Sequence, residues 1–258
     1  MSTFDMLVVL PPMRPEHYRE AAVAALGPYR SEREVPPYRD YEAADPNSVY
    51  WVQANKEHGL LPNREGLGWS EIADLMNAVG GKTPDHSSYL YVDDTERGYF
   101  LSTHNPQSEW DGLGLRIGGP RLLHRPSATG DPLLAKYEYG EVLQDRDLLA
   151  GLTNRCDGGP RGLLDFDALR AAHERLAGER HDAWVAGGKR PQAWPFRFTE
   201  DRTENVARAH ANAVPGYALL RLDGSWTDER DDGYLQDANA YLDALDPESV
   251  VLDVSCHC

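Results

Sequence analysis

The pattern of apolar positions predicts a strand followed directly by a helix at the start of the chain. Residues 4–10 form a run that is apolar except for Asp5 and ends at Pro11, which is typical of a central strand buried on both faces. Residues 15–26 then repeat apolar side chains at helical spacing, and Gly27 ends the pattern. The chain is therefore expected to open with a buried strand and an amphipathic helix.

Three further elements are predicted in the middle of the chain. Residues 69–81 have a helical pattern that begins near Ser70. The stretches "SSYLYV" and "GYFLST" are strand-like and flank the turn "DDTERG", so they predict a β-hairpin. A helix is expected at residues 163–188, with Asp165 as its N-cap.

The last part of the chain predicts a second strand-and-helix unit. Residues 203–213 indicate a short helix, and residues 216–226 indicate a strand that leads into a turn. A helix at residues 231–245 and an apolar strand at residues 249–256 complete the pattern.

These elements together predict an α+β fold. We expect a mixed or antiparallel sheet with helices on one face, built from ferredoxin-like elements with long loop insertions. The 258 residues are expected to form a single domain over residues 1–258. The irregular sequence at about 125–200 indicates a lid or insertion within that domain.

Charge narrows the choice of partners. The chain has 42 acidic and 26 basic residues, which give a formal net charge of −16. Such a protein is repelled by phosphate backbones unless its basic residues cluster, and no Lys/Arg run is present. The charge therefore disfavours nucleic acid as a partner, although it leaves open a local basic pocket for a single nucleotide. A protein partner is also open.

The sequence favours a cytoplasmic protein. The first apolar run has no basic segment before it, so it is interpreted as a strand and not as a signal peptide. No stretch approaches the roughly 20 apolar residues that span a bilayer. Three cysteines, two of them close together, do not form a disulfide framework. We expect no membrane contact, no cofactor and no metal.

The Gly-rich segment at residues 104–125 is the first candidate for chemistry. Its glycines permit close approach of the backbone to a ligand, and Arg116 and Arg121 supply positive charge in an acidic protein. The segment could thus hold a carboxylate or a phosphate, but it matches neither the P-loop nor the dinucleotide fingerprint. The alternative is a long hairpin or Ω-loop in which Trp110 anchors the core and Asp111 caps a turn.

The chain end, "SCHC", is the second candidate. If residues 249–256 are a strand, Cys256 and His257 point to opposite faces, so the two side chains cannot grip one metal ion together with Cys258. As a nucleophile, Cys256 would need a base from elsewhere, such as His104. The alternative, which we favour, is that Cys256 packs in the core as a small apolar residue.

Several stretches together resemble a family of small proteins from actinobacterial phages, prophages and bacteria. These are "ALGPYRSEREVPPY", "NPQSEWDGLGLRIGG", "LLDFDALR" and "SVVLDVSCHC". The residues that match the family's motifs are Asn105, Pro106, Ser108, Trp110, Asp111, Gly118, Gly119, Asp165, Asp167, Cys256 and His257. The departures are Gly112 and Leu113 in place of Trp-Tyr, Pro120 in place of Arg, and Ser255 in place of Asp. The resemblance implies an architecture and a site but no particular reaction, and capping alone explains the acidic pair.

The leading hypothesis is an enzyme that hydrolyses, or transfers a group from, a small polar or anionic molecule without a redox cofactor. The substrate would lie between residues 104–125 and the C-terminal strand. The expected catalytic residues are His104, Asp111, Cys256 and His257. The expected binding residues are Trp110, Arg116, Gly118, Gly119 and Arg121. The rival hypothesis is a non-catalytic binding protein of phage or prophage type, and the sequence leaves the choice open.

Overall fold

The chain folds as two compact units. Unit 1 comprises Met1–Ser31 and Gln107–Cys258, and unit 2 comprises Glu32–Pro106. The computed structural model describes residues 3–42, 44, 68–79, 81–84, 89–117, 121–135, 152, 154–188 and 199–257. A single domain with an insertion at about 125–200 was expected, whereas the segment with a compact core of its own is Glu32–Pro106.

The regular elements are numbered in chain order. The strands among the described residues are β1 (Thr3–Leu10), β2 (Tyr38–Asp40), β3 (Leu90–Val92), β4 (Gly98–Ser102), β5 (Asp111–Ile117), β6 (Leu122–Leu123), β7 (Arg155–Cys156), β8 (Gly158–Pro160), β9 (Ala218–Leu220), β10 (Trp226–Asp228) and β11 (Val250–His257). The α-helices are α1 (Tyr18–Leu26), α2 (Trp69–Val79), α3 (Phe166–Ala186), α4 (Arg202–Asn212) and α5 (Tyr234–Asp243). Among the residues that the structure describes, no helix is both long and apolar enough to cross a membrane.

Unit 1 is built on a six-stranded mixed sheet. The strand order is β10-β9-β1-β11-β5, and β8 also pairs with β11. The first strand is antiparallel to β11 along its whole length and parallel to β9 on its other side. The apolar run at the chain start is therefore a central strand, as its composition predicted.

Both faces of this sheet are covered by helices. Leu7 and Val9 of β1 pack in one apolar cluster with residues of α3 and α5. Met6 and Val8 alternate with them and pack in a second cluster with residues of α1. The α+β class is confirmed. The sheet differs from the expected one in that α1 covers the second face, because β1 is apolar on both sides.

Unit 2 contains a small antiparallel sheet with one helix on it. The strand order is β2-β4-β3, which includes the predicted hairpin of β3 and β4. Helix α2 packs on this sheet through Ile72 and Met76, which are buried with Phe100. The side-chain amide of Asn77 on α2 both donates to and accepts from the backbone of Leu90, at 2.9 Å in each case.

The long helix α3 begins where its sequence predicted. The side chain of Asp165 accepts a hydrogen bond from the backbone N–H of Ala168 at 3.0 Å, so Asp165 is the N-cap. Asp167 lies in the first turn and forms an ion pair with Arg170 at 3.5 Å. The acidic pair at 165 and 167 is thus explained by helix capping and a local ion pair.

The short strand β8 lies very close to β11. Gly158 has a φ of +138°, and a Cβ atom there would clash with the backbone carbonyl of Val251 and come within 2.8 Å of the Cα of Leu252. Only glycine combines this backbone conformation with so close an approach. The pairing of Gly158 with Leu252 therefore depends on the absence of a side chain.

Candidate functional site

One face of the central sheet changes from apolar to polar where β1 begins and β11 ends. On this face Leu7 lies opposite Asp253, and Asp5 lies opposite Ser255. His257 follows Ser255 by two residues on the strand and therefore lies on the same side. We call Asp5, Asp253, Ser255 and His257 the polar end of the sheet. Asp5, Ser255 and His257 are partly accessible to solvent, whereas Asp253 is buried.

Arg121 lies over this polar end and pairs with its acids. Its Nε and Nη2 both donate to Oδ1 of Asp253, at 2.9 and 2.7 Å. Oδ2 of Asp5 is 3.8 Å from the same guanidinium. The side chain of Asp253 is only 1% exposed, and that of Arg121 is 28% exposed. The pair is thus a largely buried ion pair that joins the segment after β5 to the last strand.

Burial and the charge of Arg121 have opposite effects on the pKa values of the neighbouring acidic groups. Burial raises the pKa of the Asp253 carboxyl, and the Arg121 guanidinium opposes that rise. Burial likewise raises the pKa of Tyr234 on α5, and Arg121 opposes this rise too. The two carboxylates outnumber the one guanidinium, so the group of Asp5, Asp253 and Arg121 is net negative. An anion at Arg121 would compete with both carboxylates.

Strand β5 brings the central segment beside the chain end. Arg116 is the register partner of Ser255, and Asp111 is the register partner of His257, with an irregularity in the pairing between them. Two segments separated by more than a hundred residues in sequence are thus neighbouring strands. The predicted residues Gly118 and Gly119 lie outside the described residues.

Trp110 is an anchor of the core. Its side chain is 4% exposed, and its Nε1 donates to the backbone carbonyl of Leu26 at 3.0 Å. The indole packs in the apolar cluster that contains Met6 and Cys256, on the face of the sheet opposite to Asp5. The position corresponds to the core-anchor alternative, and the indole does not line the polar end of the sheet.

Cys256 and His257 point to opposite faces, as strand alternation predicted. Cys256 is fully buried beneath the sheet, and its Sγ lies 3.8 Å from Sδ of Met6. His257 is half-buried on the polar face. The thiol thus packs as a small apolar group, which was the favoured alternative.

His104 belongs to unit 2 and is therefore in a different compact unit from the other predicted residues. It is exposed, and its backbone N–H donates to Oγ of Ser102 at 3.2 Å. A catalytic role for His104 stays a prediction.

Two acids of the site were missed by sequence reasoning. Asp5 and Asp253 each stand within an apolar strand, and charged residues are seldom found there without a partner. The presence of an acidic residue within each apolar strand was the signal that the sequence offered. It indicates a buried ion pair, but it does not identify Arg121 as the partner.

We expect the two described thiols to be inert in the folded protein. Burial raises the pKa of Cys156 to about 12, and Cys256 is equally inaccessible. In a Cys258→Ser variant, a thiol reagent near neutral pH should label neither cysteine until urea is added. The unfolded variant, which should label at both, is the control. Fast labelling of native Cys256 would restore it as a candidate nucleophile.

Comparisons with known proteins identify no relative. No protein-family model matches the chain, and neither a curated protein nor a solved structure does so. The resemblance to the actinobacterial and phage family thus stays a prediction that rests on the motifs given above.

Proposed function

We propose that unit 1 is an enzyme that acts on a small polar or anionic molecule by hydrolysis or group transfer. The substrate binds at the polar end of the sheet, beside β5. The observation that carries this proposal is the pairing of β5 with β11, since it makes neighbours of the two segments that contain the unusual residue types.

The proposed roles follow from position in the sheet. His257 acts as the general acid or base, because it is half-buried and lies on the polar face of the sheet. Asp111, its register partner on β5, assists it, and Arg116 holds the anionic group of the substrate. The Arg121–Asp253 ion pair holds Arg121 against β11 at the polar end of the sheet.

The second candidate function is binding without catalysis. It is favoured by one observation, namely that the strong cation Arg121 is already paired with two carboxylates. A site of this kind would bind a ligand through Arg116 and the polar end of the sheet but would not catalyse its conversion. Phage or prophage origin and a cytoplasmic setting remain part of both proposals, and the free cysteines Cys156 and Cys256 are compatible with that setting.

The test is a hydrolysis screen with matched histidine variants. The full chain is assayed with three p-nitrophenyl substrates: a phosphate monoester, a phosphodiester and a carboxylate ester. His257→Gln should lower kcat by about 100-fold or more, which is the usual contribution of a general acid or base. His210→Gln, on the partly exposed surface of α4, should leave kcat unchanged. Arg116→Gln should raise KM more than it lowers kcat.

The outcomes separate the two functions. Activity that persists in His257→Gln would contradict the proposed role of this residue. Saturable binding of an anion at β5 and β11, observed by NMR without turnover of any ester, would favour the binding function.

A further inference from the structure

Ser255 and His257 lie on the same face of β11, at the polar end of the sheet. Residues two positions apart on a strand share a face and lie about 6.5 Å from each other. The length of a histidine side chain can bridge that separation, so the imidazole of His257 can reach the hydroxyl of Ser255. A serine hydroxyl within reach of a histidine is a pair of groups that nucleophilic catalysis uses.

The polar end of the sheet is accessible to solvent around Ser255. Asp5 is the register partner of Ser255 on β1, and its side chain is 45% exposed. The side chain of Arg121, which borders the same face, is 28% exposed. Cys256, by contrast, is fully buried on the other face. Of the adjoining serine and cysteine, only Ser255 therefore shares a face with His257 and with these accessible groups.

Strand β5 is irregular directly beside this serine and histidine. Arg116 lies opposite Ser255 and Asp111 lies opposite His257, so five steps along β5 correspond to two steps along β11. The pairing of β11 with β1 is regular over the same stretch, so the irregularity belongs to β5. Bulges interrupt the ladder of hydrogen bonds and are over-represented next to active sites. The irregularity therefore marks this part of β11 independently of its residue types.

The local charge indicates which kind of ester the site accepts. Asp5, Asp253 and Arg121 border it, and the register partners on β5 are Asp111 and Arg116. Three carboxylates thus accompany two guanidiniums, and the balance is negative. A phosphate monoester, with its charge of about −2, is repelled by such a site, whereas the carbonyl group of a carboxylic ester is uncharged. The charge therefore favours a carboxylic ester over a phosphate ester.

We propose that Ser255 is the nucleophile of unit 1 and that His257 is its base, in the hydrolysis of a polar carboxylic ester through an acyl-serine. This proposal rests on the function proposed above for the same site, and it adds the covalent step and the class of substrate. The alternative within that function is direct attack by water, which needs no serine.

The first half of the reaction forms the acyl-serine. His257 takes the proton of the Ser255 hydroxyl while Oγ attacks the carbonyl carbon of the ester. The Oγ–carbon bond forms, the bond from that carbon to the alcohol oxygen breaks, and the alcohol leaves with the proton from His257.

The second half releases the acid. A water molecule gives a proton to His257 and attacks the same carbon. The Oγ–carbon bond then breaks, the proton returns from His257 to Oγ, and a carboxylic acid is released. Nothing is oxidised or reduced, so ester and water are the only reactants.

The test of the nucleophile is covalent labelling of the full chain with an alkyl fluorophosphonate. An activated serine displaces fluoride from this reagent and forms a stable phosphonate ester. Mass spectrometry of the digested protein should find one label for each chain, on the peptide that contains Ser255. His257→Gln should lower the labelling rate by about 100-fold or more, because the base is lost.

Two serine variants link the label to catalysis. Ser255→Ala should lower kcat for p-nitrophenyl acetate by about 1000-fold or more and abolish labelling. Ser225→Ala, in the exposed turn between β9 and β10, should change neither quantity. Labelling of the wild type requires no substitution, so the test remains decisive even if Ser255→Ala fails to fold.

The outcomes separate this proposal from the function on which it rests. Hydrolysis that is lost in His257→Gln but kept in Ser255→Ala would overturn the covalent step and indicate direct attack by water. Hydrolysis by a wild type that is not labelled at Ser255 would also overturn it. In both cases the proposed function would stand. The absence of saturable hydrolysis of all three p-nitrophenyl substrates would instead contradict the proposed function, and the covalent step with it.

Discussion

Replacing Arg121 by leucine should destabilise unit 1 by about 3–5 kcal/mol near neutral pH, the usual cost of removing one partner from a buried ion pair. The variant leaves the carboxylate of Asp253 buried, with neither the two guanidinium hydrogen bonds nor the positive charge. Asp5 makes the loss larger, because it adds a second negative charge nearby. Urea unfolding monitored by a signal from unit 1 measures the change.

The destabilisation should depend on pH. Burial raises the pKa of Asp253, and without Arg121 nothing comparable opposes that rise. A carboxyl whose pKa is higher in the folded than in the unfolded state favours folding at low pH, and this advantage is lost as pH rises. The difference in unfolding free energy between wild type and Arg121→Leu should therefore be smaller at about pH 5 than at about pH 7.5.

A double variant is the matched control. In Arg121→Leu with Asp253→Leu, both charges are removed, so no unpaired charge remains buried. The double variant should be more stable than Arg121→Leu alone. A single variant that loses less than about 1 kcal/mol would indicate that water reaches the Asp253 carboxylate, against its observed burial.

Replacing Gly158 by alanine should destabilise unit 1 by at least about 3 kcal/mol, since strain and a steric clash add. The φ of +138° is unfavourable for a residue with a Cβ atom. The new methyl group would also meet the backbone at Val251 and Leu252, which cannot move aside as the end of a long side chain can. The same unfolding measurement applies.

Gly188, just after α3, separates these two causes. It also has a positive φ, +78°, but a Cβ atom there would have no neighbour within 4 Å. Gly188→Ala should therefore show only the conformational cost of about 1–2 kcal/mol. If both variants lose the same stability, the close approach of β8 to β11 contributes nothing, and the proposed reason for glycine at 158 is wrong.

Local patterns predicted most of the elements of unit 1. The apolar runs of β1 and β11 and the capped helix α3 lie close to their expected positions, because burial and capping leave a signal within a few residues. Unit 2 was not recognised as a separate unit. The helix α2 and the β3–β4 hairpin that supply its core were each predicted, but no local pattern indicated that they pack on one another as a separate unit.

The candidate site was only partly predictable, because its contacts join distant segments. The sequence indicated residues such as Arg116, Arg121 and His257, but Arg121 meets an acid 132 positions away. The buried position of Trp110 was one of two alternatives that sequence could not separate, since a tryptophan can serve as a core anchor or as a pocket wall. The position of such a side chain depends on strand pairing, and strand pairing joins residues that are far apart in sequence.

The pairing of β1 with β11 also sets the order in which the protein can be assembled. Strand β1 is synthesised before every other strand of its sheet, yet its antiparallel partner β11 is the last of them along the chain. Until β11 arrives, one hydrogen-bonding edge of β1 is unpaired, and the unpaired edge of an apolar strand is a site for aggregation or chaperone binding. Glu32–Pro106 is a contiguous segment with its own core, so unit 2 can fold while unit 1 still waits for its final strand.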